Sequence, residues 1–202
     1  MLAIISPSKT QDFSSCNIES YSQSRQLNHS QELVSILKNK TQQQISKLMS
    51  LSEKLSKLNF DRFQSFKTPF SLGNAKQALL AFKGDVYNGI DAPSLSSQDL
   101  EFAQNNIRML SGLYGVLRPL DLIQPYRLEM GTKLNNKNGS NLYDFWGADI
   151  SDVLNEDESD LIVNLASNEY FKAIDKKTLK ANVLDIVFKE KKGETYKVIG
   201  IY

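Results

Sequence analysis

Short apolar runs typical of buried strands alternate along this chain with segments whose apolar residues recur at helical spacing. Leu2–Ser6 and Leu161–Leu165 are of the first kind, and Gln98–Leu110 is of the second. Such alternation predicts a mixed α/β architecture. The 202 residues contain no internal repeat and no linker rich in Pro, Gly or Ser, so we predict a single mixed α/β domain over residues 1–202.

The remaining segments predict further helices and a terminal hairpin. Thr41 and Ser50 each begin a sequence with the form of a capping box, ahead of helices that we expect to bury Leu55 and Leu58. Asn74–Phe82 fits a helix or a strand equally well. The other predicted elements are helices at Gln31–Lys40, Leu142–Leu154 and Glu169–Ile174, and a C-terminal β-hairpin formed by Val183–Lys189 and Thr195–Tyr202.

Composition and the two chain ends predict a cytoplasmic protein with no membrane contact. The single cysteine, Cys16, excludes an internal disulfide framework and is compatible with a reducing compartment. The first residues lack the basic flank of a signal peptide, and no apolar run approaches the ~18 residues of a spanning helix. The chain stops at Tyr202 within an apolar strand that has no polar exit, which predicts that a C-terminal segment is missing.

Charges are segregated along a chain that is almost neutral in total. The net charge of +1 argues weakly against a nucleic-acid binder, which is often more basic. However, residues 149–160 hold six acids and no base, whereas residues 172–197 hold eight lysines and four acids. Both runs are compatible with ordinary solvated surface, but their separation also leaves room for one basic face.

A glycine-containing segment, Ile107–Arg118, includes the end of the predicted helix at Gln98–Leu110 and the turn that follows it. Gly112-Leu113-Tyr114-Gly115 resembles the turn of a helix-hairpin-helix motif, in which backbone N–H groups at the start of the second helix bind a phosphate. We therefore predict that Gly112 and Gly115 contact nucleic acid without reading its sequence. The alternative is a glycine turn between two packed segments, since short glycine motifs often match by chance.

Other candidate side chains lie near this segment and at two strand ends. Lys83 and Gly84, beside an aromatic residue, can present a cation and an exposed amide to single-stranded nucleic acid, or can simply form a surface turn. The two arginines that follow the glycines suit a phosphate, unless nearby carboxylates hold them in internal ion pairs. The remaining candidates are the pairs Arg118 with Asp121 and Arg127 with Glu129, and the strand-end residues Lys9, Ser167 and Asn168, of which Ser167 also suits a helix N-cap.

Five strings in this order closely resemble the YaaA family of bacterial peroxide-stress proteins: Ile5–Thr10, Ala81–Tyr87, Arg108–Asp121, Pro125–Gly131 and Asn164–Ser167. The resemblance implies an unusual α/β fold with a helix-hairpin-helix element and a positively charged cleft. It implies DNA binding, protection of DNA during peroxide stress, and an association with lower intracellular free iron. Together with the glycine turn, this predicts contact with the phosphate backbone of DNA without strong sequence preference. The resemblance also implies a basic segment beyond the last strand, and it supplies no catalytic mechanism.

Three functions therefore compete. The first is a DNA-binding protein of the peroxide response, with no cofactor. The second is an enzyme that acts on a nucleotide or a modified base, with Lys9, Lys83, Arg118, Asp121 and Glu129 in one pocket. The third, iron storage, is poorly supported because one histidine, one cysteine and no carboxylate motif at ligand spacing predict no metal site.

Overall fold

The structure is a computed structural model that describes residues 1–198, without the side chains of Lys192 and Val198. Its strands are β1 (Leu2–Ile5), β2 (Thr10–Gln11), β3 (Lys76–Gln77), β4 (Phe82–Lys83), β5 (Ile107–Ser111), β6 (Gly115–Leu117), β7 (Leu122–Ile123), β8 (Leu161–Asn164), β9 (Asn182–Asp185), β10 (Lys189–Lys192) and β11 (Thr195–Val198). Its α-helices are α1 (Leu27–Lys38), α2 (Gln42–Met49), α3 (Glu53–Ser65), α4 (Ala78–Ala81), α5 (Asp85–Ile90), α6 (Ser97–Asn106), α7 (Leu142–Trp146), α8 (Asp149–Asn155) and α9 (Asn168–Phe171).

Five strands form the central sheet, in the order β6-β5-β1-β8-β9. β1 pairs in parallel with β5 and β8, and β8 pairs in parallel with β9, whereas β6 returns antiparallel to β5. The carboxyl ends of β1, β5, β8 and β9 therefore share one edge of the sheet, which we call the carboxyl edge. The predicted mixed α/β class is confirmed, and ligands of such sheets bind at this edge.

Three two-stranded pairs surround this sheet. β2 pairs with β4, and β3 pairs with β7. β10 and β11 form the predicted C-terminal hairpin, in which Lys191 lies opposite Tyr196. The predicted start of that hairpin at Val183 is wrong, because Val183 lies in β9 and pairs with β8. Residues 199–202 of the predicted hairpin lie outside the described residues, as does the abrupt apolar end of the chain.

Of the two predicted capping boxes, one is confirmed and the other is displaced. The predicted capping box at Thr41 is confirmed: Thr41 Oγ1 accepts from the Gln44 amide, and Gln44 Oε1 accepts from the Thr41 amide. Ser52 rather than Ser50 caps α3, because Ser50 ends α2 in the left-handed conformation, with φ 52°. The expected burial of Leu55 and Leu58 is also wrong, since both side chains are exposed on α3.

Other elements differ from the predicted ones in extent or type. α6 ends at Asn106 because Ile107–Ser111 enters the sheet beside β1. The helix predicted at Leu142–Leu154 is divided into α7 and α8 at Gly147, where φ is 48°. The segment Asn74–Phe82, which fitted helix or strand, contains β3, α4 and the start of β4.

The core lies against both faces of the sheet and includes the turn between β5 and β6. Trp146, Tyr114, Phe63, Phe82 and Phe145 are its largest fully buried side chains. Among residues 1–198, no helix has both the length and the apolar character that crossing a membrane requires.

Candidate functional site

The Gly112–Gly115 segment is the turn of a β-hairpin that joins β5 to β6. Ser111 Oγ accepts the backbone N–H groups of Leu113 at 3.2 Å and Tyr114 at 3.0 Å. Gln26 Oε1 accepts the N–H of Val116 at 2.9 Å. The predicted helix-hairpin-helix element is therefore not confirmed, because a strand replaces the second helix and internal side chains take the turn amides that were expected to hold a phosphate.

Both glycines of this turn are required by close packing rather than by ligand approach. A Cβ at Gly112 would collide with the backbone carbonyl oxygen of Leu128. Gly115 has φ +69°, and a Cβ there would collide with Gln26 Oε1 and lie 2.9 Å from Trp146 Cζ3. Trp146 also donates its indole N–H to the Gly112 carbonyl oxygen at 3.1 Å. The turn is buried, so these interior contacts correct the prediction that its glycines face a nucleic acid.

Arg118 and Asp121 form an internal ion pair, the alternative that the sequence left open. Asp121 is 0% exposed and accepts from the Arg118 guanidinium at 2.9 Å and from the Arg118 backbone N–H at 2.8 Å. Ser22 Oγ donates to the same carboxylate at 2.6 Å. Arg118 also donates to the Gln23 carbonyl oxygen, so its guanidinium is held by the protein itself.

In the loop that follows β7, buried residues alternate with partly exposed ones. Tyr126, Leu128 and Met130 are buried, whereas Arg127 and Glu129 are half-buried. The Tyr126 hydroxyl is 2.7 Å from Ser111 Oγ, and Leu128 lies against Gly112. The hairpin turn therefore fixes the inward residues of this loop, and the loop presents the intervening charged residues at the carboxyl edge.

Charged side chains from two elements meet at this edge. Glu129 accepts from Arg127 Nη2 at 2.9 Å and forms an ion pair with Lys9 Nζ at 3.2 Å, just beyond β1. Arg127 Nε is buried and has no hydrogen-bond partner among the residues that the structure describes. Because Glu129 and Lys9 are partly exposed, solvent screens their pair, which contributes little to stability. These groups can instead contact a ligand.

The ends of β1 and β8 are joined beside these charges. The Ser167 N–H donates to Ser6 Oγ at 2.9 Å, and the Tyr87 hydroxyl donates to the Ser6 carbonyl oxygen at 2.7 Å. Ser167 occupies the N-cap position of α9, although its side chain makes no cap hydrogen bond. Asn168 is the first residue of α9 and is exposed.

Lys83 and Gly84 lie next to Lys9, because Thr10 and Lys83 are paired across β2 and β4. Lys83 Nζ is 3.8 Å from Asp12 Oδ2. Hydrogen bonds from Ser14 lower the pKa of the Asp12 carboxyl, and the charges of Lys76 and Lys83 add to that effect. Lys83 thus faces a carboxylate that stays ionised at neutral pH.

Two adjoining recesses open near this edge. The first, which we call the Glu129 recess, has a volume of about 280 Å³ and is lined by Leu48, Met49, Arg127, Glu129, Thr132 and Glu169. The second, which we call the lysine recess, has a volume of about 640 Å³ and is lined by Lys40, Gln44, Lys47, Leu48, Thr132 and Lys133. Ser50 and Gly131 line both, so the two recesses are continuous.

Glu169 completes the wall of the Glu129 recess, and the buried Tyr170 follows it in α9. Glu169 Oε1 accepts the Gly131 N–H at 2.8 Å, which ties α9 to the loop that carries Arg127. Burial raises the pKa of the Tyr170 hydroxyl far above its usual value, and the nearby Tyr126, Glu169 and Glu129 raise it further. Tyr170 is therefore a neutral phenol beside two carboxylates.

The predicted candidates divide into two groups. The structure gathers one group at the carboxyl edge, and it holds Gly112, Gly115, Arg118 and Asp121 in internal contacts. The pocket predicted for an enzyme is thus incomplete, since Arg118 and Asp121 are absent from it. The gathered candidates are Lys9, Lys83, Gly84, Arg127, Glu129, Ser167 and Asn168. Sequence reasoning missed Lys40, Lys47, Lys133 and Glu169, which carry no local motif and meet only through folding.

Comparison with known proteins gives one consistent match. A family model described as "Peroxide stress protein YaaA" matches residues 1–202. A UPF0246 protein of Acaryochloris marina is 56% identical over 204 residues, covering 100% of this chain and 81% of that relative. A UPF0246 protein of Shewanella amazonensis is 53% identical over 207 residues, covering 100% of this chain and 80% of that relative.

Proposed function

This chain belongs to the family of the peroxide stress protein YaaA, and on that premise we propose that it acts in the cytoplasm as a DNA-binding protein of the peroxide response. The proposed contact is between the lysine recess and the phosphate backbone of DNA. Bound DNA would be shielded from oxidative damage wherever the protein covers it. Backbone contacts of this kind position a protein without strong preference for sequence.

The observation that carries this proposal is the set of three ammonium groups around one recess. Lys40, Lys47 and Lys133 line it, and none of them forms an ion pair with a carboxylate in residues 1–198. Lysine is a flexible point charge that suits phosphate oxygens. Each phosphate that such a group neutralises releases condensed counterions, which favours binding.

The opposite edge of the sheet offers a matched control. Lys177 and Lys180 are exposed and precede β9, whose first residue, Asn182, pairs with the first residue of β8. They therefore lie at the amino ends of the strands, away from the lysine recess. Removing them subtracts the same charge as removing two recess lysines.

The test is a fluorescence-anisotropy titration with a mixed-sequence duplex across a range of salt concentrations. Lys47→Ala/Lys133→Ala should weaken binding to every sequence and reduce the slope of log affinity against log salt by roughly two units, about 0.9 per phosphate contact. Lys177→Ala/Lys180→Ala should leave the slope unchanged. Equal slopes for both double variants would contradict the proposed contact.

A second candidate function is an enzyme that acts on a nucleotide or a modified base. The observation that favours it is the Glu129 recess, where Arg127, Glu129 and Lys9 form a continuous chain of charges. Chromatography of deoxynucleotides and oxidised nucleotides after incubation would detect a product. A product whose formation depends on Glu129 would favour the enzyme over the DNA-binding protein.

The association with lower free iron is proposed as a consequence of the peroxide response in which the protein takes part. Electron paramagnetic resonance of whole cells measures free iron directly. If DNA binding is the route, a deletion strain that carries the Lys47→Ala/Lys133→Ala variant should hold more free iron than one that carries the wild-type protein. If that variant restores the wild-type level of free iron in full, iron lowering does not depend on the lysine recess.

A further inference from the structure

The Glu129 recess differs in chemistry from the lysine recess beside it. Glu129 and Glu169 line it, and an ionised carboxylate accepts hydrogen bonds but donates none. A phosphate placed there would be repelled by both side chains. The recess therefore suits a part of the ligand that carries N–H donors, whereas the phosphates suit the neighbouring lysines.

The remaining walls suit a flat ring. Leu48 and Met49 are partly buried side chains that form an apolar side, and a methionine sulfur packs well against an aromatic ring. The volume of about 280 Å³ lies just below the ~300 Å³ at which pockets for drug-sized ligands begin. A single base fits this description, and a base pair does not.

We propose that the Glu129 recess receives one unpaired guanine of bound DNA, while the lysine recess holds the adjoining phosphates. This inference rests on the proposed DNA-binding function. Guanine presents two neighbouring N–H donors on its Watson–Crick edge and two acceptors, O6 and N7, in the major groove. The carboxylates of Glu129 and Glu169 take the donors, and the Arg127 guanidinium, whose buried Nε has no hydrogen-bond partner within residues 1–198, donates to the acceptors.

The guanine must be unpaired because a base within a duplex cannot reach the bottom of a recess. Extruding it costs a few kcal/mol of stacking and pairing, and that cost is smallest where the base is already unpaired. The protein should therefore prefer a duplex that carries a single bulged guanine. Ser50 and Gly131 line both recesses, so one nucleotide can place its base in the first and its phosphate in the second.

The experiment compares five duplexes by fluorescence anisotropy: one fully paired, and four that carry a single bulged guanine, adenine, cytosine or thymine at the same position. The wild-type protein should bind the bulged guanine at least about fivefold more tightly than the other four, the lower end for one bidentate base contact. Glu129→Gln should bind all five duplexes equally. The control Glu101→Gln removes an exposed carboxylate from α6 and should keep the preference.

The outcomes separate this inference from the function on which it rests. Equal binding of all five duplexes by the wild-type protein, or a guanine preference that survives in Glu129→Gln, would overturn the guanine assignment and leave phosphate binding in place. No binding to any duplex would overturn both. Calorimetric titration with dGMP tests a further outcome. If dGMP binds more tightly than the bulged duplex, the ligand of the recess is a free nucleotide rather than a base of DNA.

Discussion

The turn at Gly112–Gly115 and the loop at Arg127–Thr132 pack against each other, yet one faces the interior and the other faces solvent. The turn directs its amides to Ser111 and Gln26 and is buried. The loop buries alternate residues against the turn and presents Arg127 and Glu129 between them. The glycines therefore serve the site indirectly: they let the loop come close, and the loop carries the charges.

Two Arg–carboxylate pairs, Arg118–Asp121 and Arg127–Glu129, show the same contrast between interior and surface. In the pair Arg118–Asp121 the carboxylate is 0% exposed and accepts from four donor atoms, whereas Glu129 in the pair Arg127–Glu129 is 30% exposed. Residue types and spacing are similar, but only the second pair has room for a ligand. Exposure, rather than the presence of an arginine near a carboxylate, distinguishes the site from the scaffold.

The largest expected effect is that of Gly115→Val. A branched side chain would meet Gln26 and Trp146 at a backbone φ of +69°, so overpacking and backbone strain add. We expect a loss of roughly 3–5 kcal/mol in the free energy of unfolding. Urea denaturation monitored by tryptophan fluorescence measures it. Gly89→Ala is the control, because a Cβ there meets nothing and should change stability by about 1 kcal/mol or less. A stable Gly115→Val protein would show that the turn is not packed as described.

The next effect separates the two ion pairs. Asp121→Asn should cost about 3 kcal/mol of stability, because it leaves the Arg118 charge without its buried partner. Glu129→Gln should cost less than about 1 kcal/mol, since its pairs are exposed to solvent. Thermal and urea denaturation of both variants test this. Equal losses of stability in the two variants would contradict the distinction between a structural ion pair at Asp121 and a ligand-accessible one at Glu129.

Gly112→Ala tests whether the turn positions the loop. The added Cβ would collide with the Leu128 carbonyl oxygen, so the backbone of the loop must shift. We expect a loss of roughly 1–3 kcal/mol from this overpacking. In the folded fraction, the affinity for DNA should fall as well, because Arg127 and Gly131 move with Leu128. Undiminished affinity in a destabilised protein would mean that the loop does not need the turn.

The smallest effect is that of Ser50→Gly at the rim of both recesses. Ser50 adopts φ 52° and ψ 47°, a left-handed conformation that costs a residue with a Cβ about 1–2 kcal/mol and that glycine adopts freely. Part of this gain is offset by the greater entropy of glycine in the unfolded chain. The variant should be up to about 1 kcal/mol more stable. A destabilised Ser50→Gly protein would indicate that the serine side chain holds the rim together.

Local signals in the sequence predicted much of the fold and less of the site. The capping box at Thr41, the first strand and the C-terminal hairpin depend on neighbouring residues, and all three are confirmed. Ile107–Leu110 satisfied a helical pattern, but pairing with β1 made it a strand, and no local signal carries that information. The helix-hairpin-helix interpretation failed with it.

For the site, the alternation of Tyr126-Arg127-Leu128-Glu129-Met130 is itself a local signal of one buried face and one partly exposed face. No local feature of the sequence predicted the lysine recess. Lys40 precedes α2, Lys47 lies in its last turn, and Lys133 is more than eighty residues away, so only the folded chain brings their charges together. Residues that are distant in sequence and lack a motif carry no joint signal.

The most direct test of where DNA binds is a titration of the 15N-labelled protein with a short duplex, followed by backbone amide NMR. The account predicts that the amide resonances of Lys47, Ser50 and Gly131 shift progressively as DNA is added. The resonances of Leu113 and Tyr114, whose amides are bonded to Ser111 inside the protein, should stay in place. Shifts confined to the Gly112–Gly115 turn, with none at the two recesses, would contradict the account.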